Sequence, residues 1–444
     1  MPKRGNKKNF PMKKNSYQKS LEAMYSLHRF GIKLGLETIS NILEGLEYPH
    51  KRFASIHIAG TNGKGSVASA LASVLYLAGY KVGLYTSPHL VRFNERICIN
   101  NRPVSDEDVV ESYEAVKKVN HGEREPTFFE YSTAMAFYEF ARHNVEWAVI
   151  ETGMGGRLDA TNIIVPELSV ITNISLEHKM YLGNTIPKIT GEKAGIIKNG
   201  IPVVTGVKQK SAISVIEGIA EEKSAPLYCL GDSFRVKRNR DGSFSYFGID
   251  NTWHNMRTGL SGSYQVDNAA LVLAGCEILN KKREMLPFQK IRDGLEQNRW
   301  SGRLEVVSES PFILMDGAHN LSAARNLTKF LSENFKDRKI TLIIGILDDK
   351  PYAPMLRYLL PVCNKVILTR AKTERALPVE KLHSAAEKLI KDITLIPDVG
   401  KAVNHAFETA SGEDVICIAG SLYVVGEAKE ELEKKGFPSF QLKE

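Results

Sequence analysis

The stretch from Phe53 to Leu75 constrains the fold more than any other. Apolar Phe53, Ile56 and Ile58 alternate with other residues up to Gly60, a turn runs through Gly60-Thr-Asn-Gly-Lys-Gly-Ser66, and Val67 opens a helical pattern. A buried strand, a glycine turn and a helix start, in that order, make a cradle for phosphate. Glycines let backbone N–H groups crowd round the anion, the helix N-terminus adds partial positive charge, and Lys64 adds a full one. Ser66 is placed to offer its hydroxyl to a phosphate-bound Mg²⁺. The common spacing Gly-x4-Gly-Lys-Ser/Thr is not met. Ile58 stands where the first glycine would be, and Gly65 separates Lys64 from Ser66. A plain glycine turn with an exposed lysine is the competing reading; nucleotide triphosphate binding is the one adopted.

At 444 residues the chain has room for two or three domains. No apolar run is long enough to span a bilayer, so no membrane segment is expected. The net charge of +8 is concentrated in residues 1–19, where seven lysines and arginines occur without an acid; the rest is close to neutral. That stretch lacks the apolar core of a secretory signal and reads as a disordered, solvated arm rather than a nucleic-acid arm. Five cysteines, odd in number and never spaced as C-x-x-C, argue for reduced thiols, a cytoplasmic setting and no zinc site.

Further strands are expected at 81–86, 147–151 and 168–173, with helices at 105–119, 130–142 and 186–198, which makes a mainly parallel sheet. Ligands in such sheets sit beyond the strand carboxyl ends. There the sequence has Ser87 in Ser-Pro-His-Leu, Glu151, a glycine-rich loop from Thr152 to Asn162, and Glu177-His178. A strand-terminal acid beside a phosphate loop is the expected second Mg²⁺ contact. His178 is either a metal ligand or an ordinary surface histidine, and Lys193 by itself passes as half of an ion pair. The aromatics of Pro126-Thr-Phe-Phe-Glu-Tyr131 read first as core, although a flat ligand would find stacking surfaces there. The pattern resets near Trp300. Beyond it, strands at 312–315, 340–347, 365–369 and 415–419 alternate with helices at 321–334, 351–360, 378–390, 400–410 and 422–435, a doubly wound α/β unit. The expected division is therefore an arm (1–19), a P-loop domain (20–299) and a smaller Rossmann-like α/β domain (300–444).

Taken together, Ala59-Gly-Thr-Asn-Gly-Lys-Gly-Ser66, Ser87-Pro-His-Leu90, Gly155-Gly-Arg-Leu-Asp-Ala-Thr-Asn162, Glu192-Lys-Ala-Gly195, Trp300 with Gly302-Arg303, and Asp316-Gly-Ala-His-Asn320 resemble the ATP-dependent Mur ligase superfamily. Within it they are similar to the bacterial bifunctional dihydrofolate synthase/folylpolyglutamate synthase group, over about residues 17 to 430. The resemblance implies a cytoplasmic, monomeric enzyme that uses ATP to add L-glutamate to 7,8-dihydropteroate and to reduced folates, with no nucleic acid or membrane partner. It implies ATP binding by Thr61, Asn62, Gly63, Lys64, Gly65, Ser66, Asn268, Arg303, Asp316 and His319. Mg²⁺, at two sites, would be held by Ser66, Ser87, Glu151, His178 and Lys193 carried as a carbamate; a monovalent cation is compatible with the set. Lys64, His178, Lys193 and Arg303 would be catalytic. The pteroate segments would be Ser26, Leu27, His28 and Arg29; Thr127, Phe128, Phe129 and Glu130; and Leu158, Asp159 and Ala160. The family's usual Asp before the metal histidine is Glu177 here, Tyr264 replaces a usual histidine, and Ser301 a common proline. Polyglutamylation alone, a cell-wall Mur ligase and a P-loop ATP switch are the alternatives.

Overall fold

The computed structural model describes residues 12–27, 31, 33, 35–119, 121–283 and 285–437. The chain builds two sheets of mainly parallel strands. The first contains β1 (Ala54–Ala59), β2 (Val82–Tyr85), β3 (Ile97–Ile99), β4 (Arg102–Pro103), β5 (Trp147–Glu151), β6 (Leu168–Ile171), β7 (Val203–Thr205) and β8 (Leu227–Cys229), in the order β4-β3-β2-β5-β1-β6-β7-β8. All neighbours pair in parallel except along β2-β3-β4. The phosphate-loop strand β1 is thus central and buried on both faces, which is why it reads as Ile56-His-Ile-Ala without strict alternation.

The helix Lys64–Leu77 packs on one face of this sheet beneath the helices Ser263–Arg283 and Phe288–Gln297, and is buried from Ser66 to Leu75. Its small residues, Ala68, Ala70 and Ala72, let those helices approach. The other face carries the helices Met12–Ser26, Glu37–Gly45, Asp106–Lys118 and Phe128–Arg142 around a second core. A three-stranded antiparallel ribbon, β9 (Arg235–Arg238), β10 (Phe244–Phe247) and β11 (Thr252–Met256), joins the first core.

The second sheet holds β12 (Glu305–Glu309), β13 (Phe312–Met315), β14 (Ile340–Ile344), β15 (Lys365–Arg370), β16 (Ile393–Asp398) and β17 (Val415–Ala419), in the order β12-β13-β17-β14-β15-β16. Only β12 is antiparallel to its neighbour. Helices cover both faces, as expected for a doubly wound unit.

Several elements depart from expectation, among them the short strands β3 and β4. Residues 12–19, expected in a disordered arm, are helical, because Tyr17 and Leu21 face the core and Tyr17 donates a 2.6 Å hydrogen bond to Asn94. Residues 1–11 lie outside the described residues. Strands β12 and β16 are additional to those expected; both are edges, half-buried, and carry acids or Pro397 that mask a strand signal. Among the described residues, no helix is long and apolar enough to cross a membrane.

Candidate active site

Strand β1 ends at Ala59, and the chain turns through Gly60–Gly63 into the helix Lys64–Leu77. Gly63 takes a left-handed conformation (φ +86°), and a Cβ there would meet the Asn268 amide at 2.7 Å. Only glycine satisfies both demands. The loop is tied down around Asn62: its N–H donates to Asn173 Oδ1 (3.0 Å), and its carbonyl accepts from Thr172 Oγ1 (2.7 Å) and Asn173 Nδ2 (2.9 Å). From the opposite side, Gln265 Nε2 donates to Ser66 Oγ at 3.3 Å, and Asn268 bonds to Gln265. A phosphate cradle with so little freedom is preorganised for its ligand.

The register of β5 against β1 sets Glu151 level with Ile58, beside the cradle. Its carboxylate is buried. It accepts from the Ser87 N–H at 3.3 Å, and the closest cation, Lys64 Nζ, stands 3.8 Å away. Burial raises the Glu151 pKa, with Lys64 opposing. Lys64 itself folds back onto the carbonyls of Gly60 (3.2 Å) and Thr61 (3.3 Å). A buried carboxylate whose one ion pair among the described residues is a long 3.8 Å contact, in a cavity also lined by Ser66 and Ser87, suits a hard divalent ion. His178 lines the same cavity from a left-handed backbone position (φ +46°), strained for a non-glycine residue. Although His178 keeps an exposed edge, the surrounding protein's desolvation, against the pull of Glu177 and helped by Lys350, lowers its pKa, which favours the neutral ring that can act as a ligand.

Lys193 lies under the cradle at the end of the helix Ile186–Ala194 and is 1% exposed. Its Nζ donates to Gly60 O (2.7 Å) and Glu177 Oε1 (2.8 Å). Burial lowers the Lys193 pKa, only partly offset by Glu177. Burial would raise Glu177, but Lys193 and Lys64 outweigh it and bring that acid down to about 2. The geometry is that of an ion pair whose lysine loses its proton more readily than a free one. Glu177 thus pairs with Lys193, a role that the motif alone did not reveal.

The second lobe closes the site. Arg303, Asp316 and His319 line the same cavity of about 570 Å³ as Thr61–Ser66, Ser87, Glu151, His178 and Asn268. The segment Ser301–Leu304 is fastened to this lobe: Gly302 N–H to Glu305 Oε2 (2.7 Å), Leu304 N–H to Asp316 Oδ2 (2.9 Å), Gly317 N–H to Gly302 O (2.8 Å), and Lys429 Nζ to Ser301 Oγ (2.7 Å) and Glu305 Oε1 (2.9 Å). Trp300, one residue earlier, packs instead on the first lobe, so close to Gly65 that a Cβ there would lie 2.7 Å from Nε1. Burial pushes Asp316 up to about 6 against the opposing Arg303, and pushes His319 down to about 4. The 2.8 Å contact of His319 Nδ1 with Gly317 O requires the Nδ1–H tautomer, since a carbonyl only accepts.

One side-chain pair bridges the lobes within the cradle. Asn320 Nδ2 donates to Asn62 Oδ1 at 2.8 Å, with a longer return contact of 3.4 Å. Asn320 also caps the helix Leu321–Asn334 through Ala323 N–H. Asn320→Ser retains the cap but is too short to reach Asn62. It is expected to leave the KM for ATP unchanged, lower kcat about fivefold, the worth of one hydrogen bond, and raise phosphate release unaccompanied by product. Parallel assays of phosphate and amide product check this.

Of the pteroate segments, His28 and Arg29 lie outside the described residues. Leu27, Phe128 and Phe129 meet in the second core, and the Phe129 ring lies over Gly153. Thr127 and Glu130 cap the helix Phe128–Arg142 reciprocally, with Arg124 bonded to Glu130 at 2.6 Å. Their hydrogen bonds serve the local fold. Ser26 is bonded to Ala23 O, and Asp159 folds the glycine loop through Met154 N–H (2.8 Å) and Thr161 Oγ1 (2.6 Å), with Leu158 half-buried and Ala160 buried beside it.

Residues 58–276 match the Mur ligase middle domain, and residues 302–422 match the Mur ligase glutamate ligase domain. The dihydrofolate synthase/folylpolyglutamate synthase of Bacillus subtilis (strain 168) is 36% identical over 430 residues, spanning 94% of this chain and 99% of that one. Escherichia coli FolC, solved with DHPP and ADP, has a TM-score of 0.88 at 31% identity, covering 95% of this chain and 98% of its own. The Yersinia pestis bifunctional folylpolyglutamate synthase/dihydrofolate synthase, solved with AMPPNP and a Mn ion, has a TM-score of 0.85 at 30% identity, covering 94% and 98%.

Proposed function

The chain belongs to the Mur ligase family, in its dihydrofolate synthase/folylpolyglutamate synthase branch, and from that premise we propose that it joins L-glutamate to 7,8-dihydropteroate and to the γ-carboxylate of reduced folates, driven by ATP. The observation that carries this reading is the shared cavity, with a phosphate cradle on one wall and Arg303, Asp316 and His319 on the other.

A carboxylate is a poor electrophile and does not condense with an amine in water. Its oxygen attacks the γ-phosphorus of ATP, the bond to the β-phosphate oxygen breaks, and ADP leaves. Lys64 and Arg303 spread the charge of that transfer. The deprotonated amine of L-glutamate then attacks the acyl carbon, and phosphate departs. Ser66, Ser87, Glu151, His178 and Lys193 carried as a carbamate would hold Mg²⁺, which would neutralise part of the phosphate charge. Carbamylation needs a neutral amine, which the burial of Lys193 favours. Thr61, Asn62, Gly63, Gly65 and Asn268 hold the triphosphate. The Asn62–Asn320 contact keeps the lobes together, so that water stays away from the acyl phosphate. The enzyme acts as a cytoplasmic monomer.

The test is phosphate release with dihydropteroate and with tetrahydrofolate, each with and without L-glutamate. Glutamate-dependent release with both acceptors is expected. Release with tetrahydrofolate alone would reduce the activity to polyglutamylation, and release indifferent to glutamate would favour an ATP switch.

A further inference from the structure

Arg96 takes no part in the scheme above, yet it is the more unusual cation of this lobe. It is 7% exposed, and no carboxylate among the described residues closes an ion pair with it. The neighbouring acid Glu95 is committed to the N–H groups of Leu90, Val91 and Arg92. Glu151 acts on Arg96 only through space. A buried guanidinium without a counter-anion is costly to the fold unless a ligand supplies one.

Its placement says which ligand. The Thr86 N–H donates to Arg96 O at 3.0 Å, which sets Arg96 beside the Ser87 loop. Nε donates to His89 Nδ1 at 2.8 Å, and the guanidinium lies 5.0 Å from the Phe128 ring centroid, so two neighbours hold its plane. Phe128 stacks on Tyr25 from the N-terminal helix at 5.7 Å, and Tyr423 of the second lobe is close enough to act on the same cation. The terminal nitrogens donate to no described residue and are not sealed from open space. Arg96 therefore stands between the aromatic cluster, where a flat ring would stack, and Glu151 at the phosphate cradle.

We propose that Arg96 is the carboxylate anchor of the acceptor pocket, receiving the acid end of the substrate while its ring system stacks beyond Phe128. The anchor rests on the folate-ligase reading. In dihydropteroate the only carboxylate is the reacting one; a folate offers in addition the α-carboxylate of its terminal glutamate.

The test is steady-state kinetics of Arg96→Gln and Arg96→Lys with dihydropteroate and with tetrahydrofolate, plus calorimetric titration with ADP. The KM for acceptor is expected to rise about 10- to 100-fold in Arg96→Gln, the range of a charged hydrogen bond, and less in Arg96→Lys. The KM for ATP and L-glutamate and the affinity for ADP should stay within about twofold. A rise with both acceptors places the anchor on the reacting acid; a rise with tetrahydrofolate alone places it on the α-carboxylate. An unchanged acceptor KM, a rise confined to L-glutamate, or a parallel loss of ADP binding would each overturn the anchor. Should Arg96→Gln not fold, Arg96→Lys carries the same comparison. Wild-type protein inactive with both acceptors would instead defeat the folate-ligase reading.

Discussion

Lys193→Ala is expected to lower kcat about 10³-fold, at the upper end for removal of one preorganised electrostatic group, and to regain part of it when formate or acetate is added. The side chain is sealed beneath the phosphate loop, bonded to Gly60 O and Glu177. In the proposed active form its nitrogen carries CO₂, which turns a cation into an anionic oxygen donor. A small carboxylate diffusing into the hole left by the truncated chain restores that oxygen. Relative to the unmodified lysine, which is paired with Glu177, the variant also strands that acid, a loss that on its own destabilises a fold by about 3–5 kcal/mol. Chemical rescue separates the two effects, because added carboxylate cannot repair stability lost through an unpaired Glu177. Kinetics across a formate series, with Tm measured in parallel, make the check. Full activity in Lys193→Ala would remove the carbamate role.

Lys64→Ala should lower kcat about 10²- to 10³-fold and weaken ATP binding by about tenfold. Among the described residues, its Nζ reaches only the Gly60 and Thr61 carbonyls and, at 3.8 Å, Glu151. These are loose contacts for a half-buried ammonium and leave it free to turn toward an incoming triphosphate. Lys64→Arg keeps the charge, but its planar fork does not fit a space shaped for a point charge, so little recovery is expected. Single-turnover phosphate release and nucleotide titration distinguish lost chemistry from lost binding. A variant with wild-type kcat would mean that the lysine only holds the turn.

Much of this site can be read from local pattern. The glycines of the cradle announce themselves because the strand before them and the helix after them have opposite periodicities. Strand ends such as Glu151 and Asp316 follow once the sheet is recognised as parallel. What stays hidden is what tertiary contact decides. Glu177 and Lys193 are sixteen residues apart, and only packing makes them a pair. Asn62 and Asn320 lie in separate lobes. Arg96 looks like one more surface cation in Asn-Glu-Arg until the antiparallel turn of β3 against β2 buries it. The helix from Met12 was masked by its lysines, since one apolar face with Tyr17 and Leu21 is enough to dock it.

The fastening of Ser301–Leu304 and the opposite loyalty of Trp300 fix where the chain passes from one lobe to the other. Ser301 onward is riveted to the second lobe by Glu305, Asp316 and Lys429, while Trp300 is wedged against Gly65. The changeover is therefore a single peptide, Trp300–Ser301. Arg303 and Asp316 lie on the same side of it, so any opening or closing of the lobes would carry guanidinium and carboxylate together as one unit.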